Sequence, residues 1–362
     1  MNAVILAGGK GTRLHPLTAA NPKPLVNFFD RPVLEHQIEL LKREGLDDII
    51  LTVGHLKHRI IDRLGDGSQY GVRIRYVRED VPLGTAGGVK LAEPLLDATF
   101  LIISGDAITD VGLRVAIDFH AANAAEVTLL LKEVDDPSQY GIAELDADHR
   151  ITRFLEKPQP EEVFSRTANT GMYVMSKSAL ATVPTDEPYD FSKNLFPSLL
   201  RRGQRLCGWR LDGYWNDIGS LTEYLSAHID ALLGKINLPL IPRERGVPAS
   251  AVVHPRAVIG TPSFIGEEAF LDDGALIGEN TVIGSRARVG TRAQLSYCVI
   301  GDDCIIGEHA IIEDCVLAPG TTFPPYGCIR GNVFHFALPA DAHLTVHSRL
   351  DGPVVALVNK TS

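Results

Sequence analysis

The sequence has no apolar run of the ~18 residues that a membrane span requires. It opens on a strand-like pattern, without a charged and then apolar leader. Its five cysteines, Cys207, Cys298, Cys304, Cys315 and Cys328, are odd in number and form no Cys-x-x-Cys pair, which argues against a disulfide framework and a zinc site. These absences lead us to expect a cytoplasmic protein, its thiols reduced, with no membrane partner. Basic charge is also short: 35 Lys and Arg stand against 45 Asp and Glu, a net charge of −10. That balance excludes a nucleic-acid partner gripped through a general basic face, yet permits a local basic pocket for a polyphosphate.

Two familiar nucleotide motifs are missing as well. The stretch LAGGKGTRLHPLT, residues 6 to 18, follows the apolar run Val4-Ile5-Leu6. A P-loop needs a hydroxyl directly after its lysine, but Lys10 is followed by Gly11. A dinucleotide fingerprint needs a third glycine where Leu14 stands, and Pro16 interrupts any helix there. What remains is phosphate chemistry of a looser kind. Gly8, Gly9 and Gly11 let backbone N–H groups approach an anion, and Arg13 can fork onto phosphate oxygens. An ordinary glycine turn is the competing reading of this stretch.

Of the 362 residues, 45% are hydrophobic and 22% charged, as in a soluble chain of about two domains. The first ~235 residues alternate strand-like and helix-like segments, the pattern of an α/β domain. NAVILA, DDIILTV and FLIISGD read as buried strands, and VRIRYV as an edge or half-exposed strand. RPVLEHQIELLKREG reads as a helix with Leu34, Ile38 and Leu41 on one face. GIAELDADHRITRFLEKP reads as two strands about a turn at Asp146–Asp148, so the sheet is expected to be mixed. Residues 236–250, rich in proline, read as a linker.

Beyond the linker the period changes to six. Ile259, Ile265, Leu271, Ile277, Ile283, Val289 and Leu295 recur at that spacing, and after a slip of one residue Ile300, Ile306, Ile312 and Ala318 continue it. Such a hexapeptide repeat predicts a parallel β-helix over 251–325, with about four coils and one aliphatic side chain inward per rung. Cys298, Cys304 and Cys315 are expected in this stack as small apolar fillers. His254 and His309 lie on rungs, where a solvent-facing role outweighs acyl-transfer chemistry. Residues 326–362 leave the repeat and read as a tail or cap without a legible role.

Eight stretches occur in one order: LAGGKGTRLHPLT, NPKPLV, LGTAGGV, ISGDAITD, FLEKP, NTGMYV, YDFSKNLFPSLL and GYWNDIGS. In that order, with the repeat appended, the chain resembles the sugar-1-phosphate nucleotidyltransferases, most of all the mannose-1-phosphate guanylyltransferases (GDP-mannose pyrophosphorylases). The resemblance covers residues 1 to about 320. It implies a Rossmann-like nucleotidyltransferase domain with a mixed sheet over 1–235 and a left-handed parallel β-helix after it. It also implies transfer of a nucleotidyl group from GTP to mannose 1-phosphate, giving GDP-mannose and pyrophosphate. The alternatives are the same chemistry with glucose or heptose 1-phosphate or another NTP, and a non-catalytic sensor of nucleotide sugars. Because the attacking phosphate oxygen is already anionic, positioning and electrostatics carry such a reaction.

The residue roles that follow are implied by the same resemblance. Leu6, Ala7, Gly8, Gly9, Gly11, Thr12, Arg13, Lys23, Gly84 and Thr85 would hold the nucleotide. Arg13, Lys23 and Asp106 would be catalytic, and LGTAGG (83–88) would be a loop whose small residues let a purine lie against backbone. Asp106 and Asp217 would hold Mg²⁺, whereas Asp110 is expected to be structural. Gly105, Glu156, Lys157, Asn169 and Gly171 would take the sugar phosphate. Three departures are visible: Ser104 where the family often has Asn, Ser220 for Thr, and Asn194 for Asp. A flat-sided β-helix suits a homo-oligomer.

Overall fold

The computed structural model describes residues 1–9, 11–185, 187–241 and 246–335, the last four by backbone alone. The greater part of the expected tail and residues 242–245 of the expected linker lie outside the described residues. The chain divides into two compact units. The first comprises Met1–Lys10, Pro22–Leu25 and Val33–Asp217; the second comprises Gly11–Asn21, Val26–Pro32 and Ile218–Ser362.

The first unit is built on a mixed sheet. From one edge its strands run Ile151–Glu156, Gly141–Leu145, Thr167–Ser176, Thr99–Ser104, Ala3–Ala7, Asp48–Val53 and Arg73–Arg78. Ala3–Ala7 lies between Thr99–Ser104 and Asp48–Val53, parallel to both. Thr167–Ser176 runs antiparallel to Thr99–Ser104 and also pairs with Val127–Glu133, which carries Leu206–Arg210 on its far side. VRIRYV is the edge strand its alternation predicted. At the turn between the two strands of GIAELDADHRITRFLEKP, Asp146 Oδ1 accepts hydrogen bonds from the N–H groups of Asp148 and Arg150.

Strand alternation sends Ala3, Ile5 and Ala7 to one face and Val4 to the other. On the first face helix Val33–Arg43 buries Leu34, Ile38 and Leu41 beside Ile60 and Leu64. On the second, Ala86, Val89, Phe191 and Phe196 pack against Val4, Ile50 and Ile102. Burying one such aliphatic side chain contributes about 2 kcal/mol. With both faces covered, the sheet leaves its strand ends for chemistry.

In the second unit the hexapeptide segment forms parallel ladders of two- and three-residue strands. One ladder stacks Val252–Val253, Phe270–Leu271, Arg288–Val289, Ile305–Ile306 and Thr322–Phe323. Ile265, Leu271, Ile277, Ile283, Val289, Leu295, Ile300, Ile306 and Ile312 all point into its core. The next inward residue is Leu317 rather than the expected Ala318, because Leu317 pairs with Ile300 of the previous coil. The repeat therefore slips twice. At each slip two rungs fuse into one longer strand, Gln294–Ile300 and Ile311–Leu317. Ala269, Ala275, Ala287, Ala293, Cys304 and Ala310 fill the position before successive rungs, and Cys298, Cys304 and Cys315 are buried in the stack as expected.

Outside the β-helix, the ribbon Asn27–Phe28/Arg31–Pro32 is held by other parts of the same unit. Asn27 Nδ2 donates to Asp302 at 3.0 Å, and Tyr224 Oη donates to the Asn27 carbonyl at 2.6 Å. Phe29 meets Phe264 edge to face, and its N–H donates to His228 Nε2. Among the described residues no helix is long and apolar enough to cross a membrane.

Candidate functional site

Strand Ala3–Ala7 delivers Leu6, Ala7, Gly8 and Gly9 to one end of the sheet, and Thr99–Ser104 delivers Asp106 beside them. The two strand ends meet at Gly105, whose N–H donates to the Leu6 carbonyl at 2.8 Å. A Cβ at Gly105 would fall 2.6 Å from that oxygen, so only glycine allows this approach.

Asp106 is fixed from both sides. Lys23 Nζ donates to its Oδ2 at 2.5 Å, and Ser104 Oγ donates to its Oδ1 at 2.5 Å. The Ser104 variant thus serves the aspartate directly. Helix Val33–Arg43 steadies the same turn through Gln37, whose Nε2 donates to the carbonyls of Ser104 (2.5 Å) and Ala107 (2.9 Å). Lys23 is buried, and its ammonium also donates to the Asp217 main-chain oxygen at 3.1 Å.

Sequence spacing gave no reason for Asp217 to lie near Asp106. The structure supplies one in a short antiparallel ribbon, Ile108–Thr109 with Trp215–Asn216. Thr109 Oγ1 donates to the Tyr214 carbonyl, and Asp110 Oδ1 accepts from the Tyr214 N–H at 2.8 Å. Asp106, through a carboxylate oxygen, and Asp217, through its main-chain oxygen, therefore converge on the Lys23 nitrogen. The resemblance implies Mg²⁺, which needs hard oxygen donors. A carboxylate oxygen of one aspartate and a carbonyl oxygen of the other already gather about a single cationic group, so these residues fit a small hard cation.

Gly11, Thr12 and Arg13 belong to the second unit. Gly11 adopts a left-handed conformation that starts the turn Thr12–Leu14, and its carbonyl accepts from Thr18 Oγ1. Arg13 is exposed.

LGTAGG is not the loop that the sequence suggested. Gly84–Leu91 is a helix, entered through Gly84 at φ 72°. A Cβ at Gly84 would lie 2.8 Å from the Tyr189 carbonyl oxygen. The first N–H groups are taken by the protein itself: Ala86 and Gly87 donate to the Tyr189 carbonyl and Thr85 to Asp190. The space spared at Gly88 holds Glu79, whose Oε1 would sit 2.5 Å from a Cβ there and 3.2 Å from one at Gly8. Glu79 thus joins the two glycine-rich stretches. Its burial pushes the carboxyl upward in pKa, while the Leu83 N–H opposes that shift.

Of the residues expected to take the sugar phosphate, Glu156 ends strand Ile151–Glu156 and exposed Lys157 follows at φ 48°. Burial pushes the Glu156 carboxyl up, and the nearby Ser192 hydroxyl draws it back. Asn169 is buried, with Nδ2 donating to Tyr173 Oη (2.9 Å) and Ser192 Oγ (3.2 Å) and Oδ1 accepting from the Gly171 N–H. Gly171 holds φ 77° facing Ser104. Sequence reasoning missed Gln37, Glu79, Asp190 and Ser192 as members of the site. Only the last two lay in a quoted motif, YDFSKN, and nothing in its spacing pointed to these contacts.

Residues 2–233 match the nucleotidyl transferase family and residues 243–335 the GMPPB C-terminal domain. The chain is 36% identical over 256 residues to the UTP–glucose-1-phosphate uridylyltransferase of Synechocystis sp., covering 67% of this chain and 66% of that protein. It is 40% identical over 232 residues to the mannose-1-phosphate guanyltransferase of Candida albicans, covering 62% and 63%. The chain thus spans a little under two thirds of the length of these relatives. A solved Bacillus anthracis structure, assigned as a glucose-1-phosphate thymidylyltransferase in complex with sucrose, aligns with a TM-score of 0.59 at 28% identity. That alignment covers 66% of this chain and 97% of the other. The motif order, the sheet and the family match over 2–233 agree: the chain belongs to the nucleotidyl transferase family, in its sugar-1-phosphate branch.

Proposed function

We propose that this chain transfers a guanylyl group from GTP to mannose 1-phosphate, releasing pyrophosphate. The observation that carries the reading is the convergence of Asp106 and Asp217 on the Lys23 ammonium. A phosphate oxygen of the sugar bonds to the α-phosphorus, and the bond to the bridging oxygen breaks with its electron pair leaving on pyrophosphate. The nucleophile is anionic, so this chain needs no base. Its task is to hold two polyanions in line and balance their charge. Lys23 and Arg13 serve the triphosphate, Lys157 the sugar phosphate, and Glu156 with Asn169 the sugar hydroxyls. Asp106 and Asp217 would hold Mg²⁺, which when bound supplies charge stabilisation to the phosphates.

Guanine is favoured by Glu79. Its carboxylate only accepts hydrogen bonds when ionised, which suits the adjacent N1–H and N2–H donors of guanine. Uracil and thymine instead present one N–H between two carbonyl oxygens that a carboxylate repels. The guanyltransferase activity named for the Candida albicans relative supports the same choice. The second reading, uridylyl transfer to glucose 1-phosphate, is favoured by the Synechocystis relative, which aligns over a longer stretch. A panel of NTPs and sugar 1-phosphates, read by pyrophosphate release, tests both. We expect GTP with mannose 1-phosphate to give the highest kcat/KM, and preference for UTP with glucose 1-phosphate would replace the first reading with the second. The β-helix is also proposed as the assembly surface of a homo-oligomer, since Val252, Val258, Phe270, Leu276 and Ile305 are exposed on its rungs.

A further inference from the structure

The stretch YDFSKN, residues 189 to 194, has no role in the chemistry above. It enters a single π-helical turn, Phe191–Leu195, an element that is rare and concentrated at functional sites. One end grips the nucleotide side. Tyr189 N–H donates to the Leu83 carbonyl, and the Tyr189 carbonyl accepts from Ala86 and Gly87. Thr85 Oγ1 donates to Asp190 Oδ1 at 3.1 Å and accepts from the Phe191 N–H at 3.0 Å. The other end grips the sugar-phosphate side, where Ser192 Oγ accepts from Asn169 Nδ2 at 3.2 Å and lies close enough to the Glu156 carboxyl to lower its pKa.

Little slack exists between the two ends. Asp190 and Ser192 are separated by Phe191, which is buried against Tyr173 and Phe196 at ring-centroid distances of 5.2 and 5.8 Å. The turn is also closed on itself, because the Asp190 N–H donates to Asn194 Oδ1 at 2.8 Å. An aspartate in place of Asn194 would put a second carboxylate beside Asp190.

We propose that Asp190 and Ser192 are positioning residues that couple the two substrate subsites. Asp190 sets the start of helix Gly84–Leu91, Ser192 sets Glu156 and Asn169, and the closed turn carries a displacement of one to the other. This inference rests on the assignment of those subsites under the proposed function. Coupling of binding free energies is reciprocal, which gives the test its form.

Calorimetric titrations of the full chain with GTP and with mannose 1-phosphate, on wild type, Thr85→Val, Thr85→Ser and Ser192→Ala, decide it. Thr85→Val lies on the nucleotide side, yet should weaken mannose 1-phosphate by about fivefold. Ser192→Ala lies on the sugar side, yet should weaken GTP by a similar factor. Thr85→Ser, which keeps the hydroxyl, should restore the wild-type value for the sugar phosphate. If each substitution changes only the affinity of its own side, with the other within twofold, the coupling is overturned while the subsites stand. A wild-type chain that binds neither compound overturns the subsite assignment and the coupling with it. Should Thr85→Val not fold by circular dichroism, the effect of Ser192→Ala on GTP binding decides alone.

Discussion

At the scale of single residues, the charges of the site that are held most closely are Lys23 and Asp106, which meet each other. Asp106 holds a lysine and a serine at once, so Asp106→Asn keeps the shape, its amide oxygen still accepting from Lys23 and its amide nitrogen donating to the Ser104 hydroxyl, while the charge is removed. Turnover should fall at least about a hundredfold with the melting temperature little changed; near-normal pyrophosphate release would remove Asp106 from the chemistry. Glu79→Gln should narrow the kcat/KM ratio of GTP over UTP, because an amide can donate to a uracil carbonyl where a carboxylate repels it. An unchanged ratio would take base reading away from this side chain. Buried His120, between Thr128 Oγ1 and Ser176 Oγ, has its pKa lowered by burial, against a smaller raising influence of Glu126. The unfolded chain therefore takes up this proton first as pH falls below about 6.5. Stability present above that value is lost toward the lower folded pKa, at up to about 1.4 kcal/mol per pH unit. Denaturant titrations from pH 7 to pH 5 should show this slope in wild type and a shallower one in His120→Gln.

At the scale of elements, periodicity was legible and close packing was not. Apolar runs announced the buried strands, alternation the edge strand, and a six-residue beat the β-helix. The first slip of the beat could be read, since no aliphatic residue other than Ile300 suited the next inward place. The second could not, because Leu317 and Ala318 are both apolar and only the pairing with Ile300 separates them. LGTAGG was misread for a similar reason. Glycines that looked like room for a base are room for Glu79 and Tyr189, a fact of tertiary contact invisible in a local string. The meeting of Asp106 with Asp217 depends on the ribbon secured by Thr109 and Asp110, residues that announce nothing by spacing. Before successive rungs the β-helix accepts small side chains, and Cys304 stands in a row of alanines. Cys304→Ala should cost about 1 kcal/mol or less, whereas Ala287→Leu should overpack the coil and cost about 1–3 kcal/mol. Thermal unfolding of the pair checks the contrast, and equal losses would contradict it.

At the scale of the whole molecule, the proposed assembly through the β-helix can be tested on its exposed apolar rungs. Phe270→Glu combined with Leu276→Glu should lower the sedimentation coefficient of the protein toward that of a monomer. An unchanged value would move the assembly surface elsewhere. The boundary between the compact units is crossed repeatedly near the N-terminus, where Gly11–Asn21 and Val26–Pro32 belong with the β-helix. Lys23 sits in the brief excursion Pro22–Leu25 between those two strips. A designer who wished to graft another family member's carboxy-terminal half onto this chain could not do so with one splice. The donor would have to bring its own counterparts of Asn27 and Phe29 to meet its own Asp302 and Phe264, because a chimera joined near residue 235 would leave both of these contacts of the second unit mismatched.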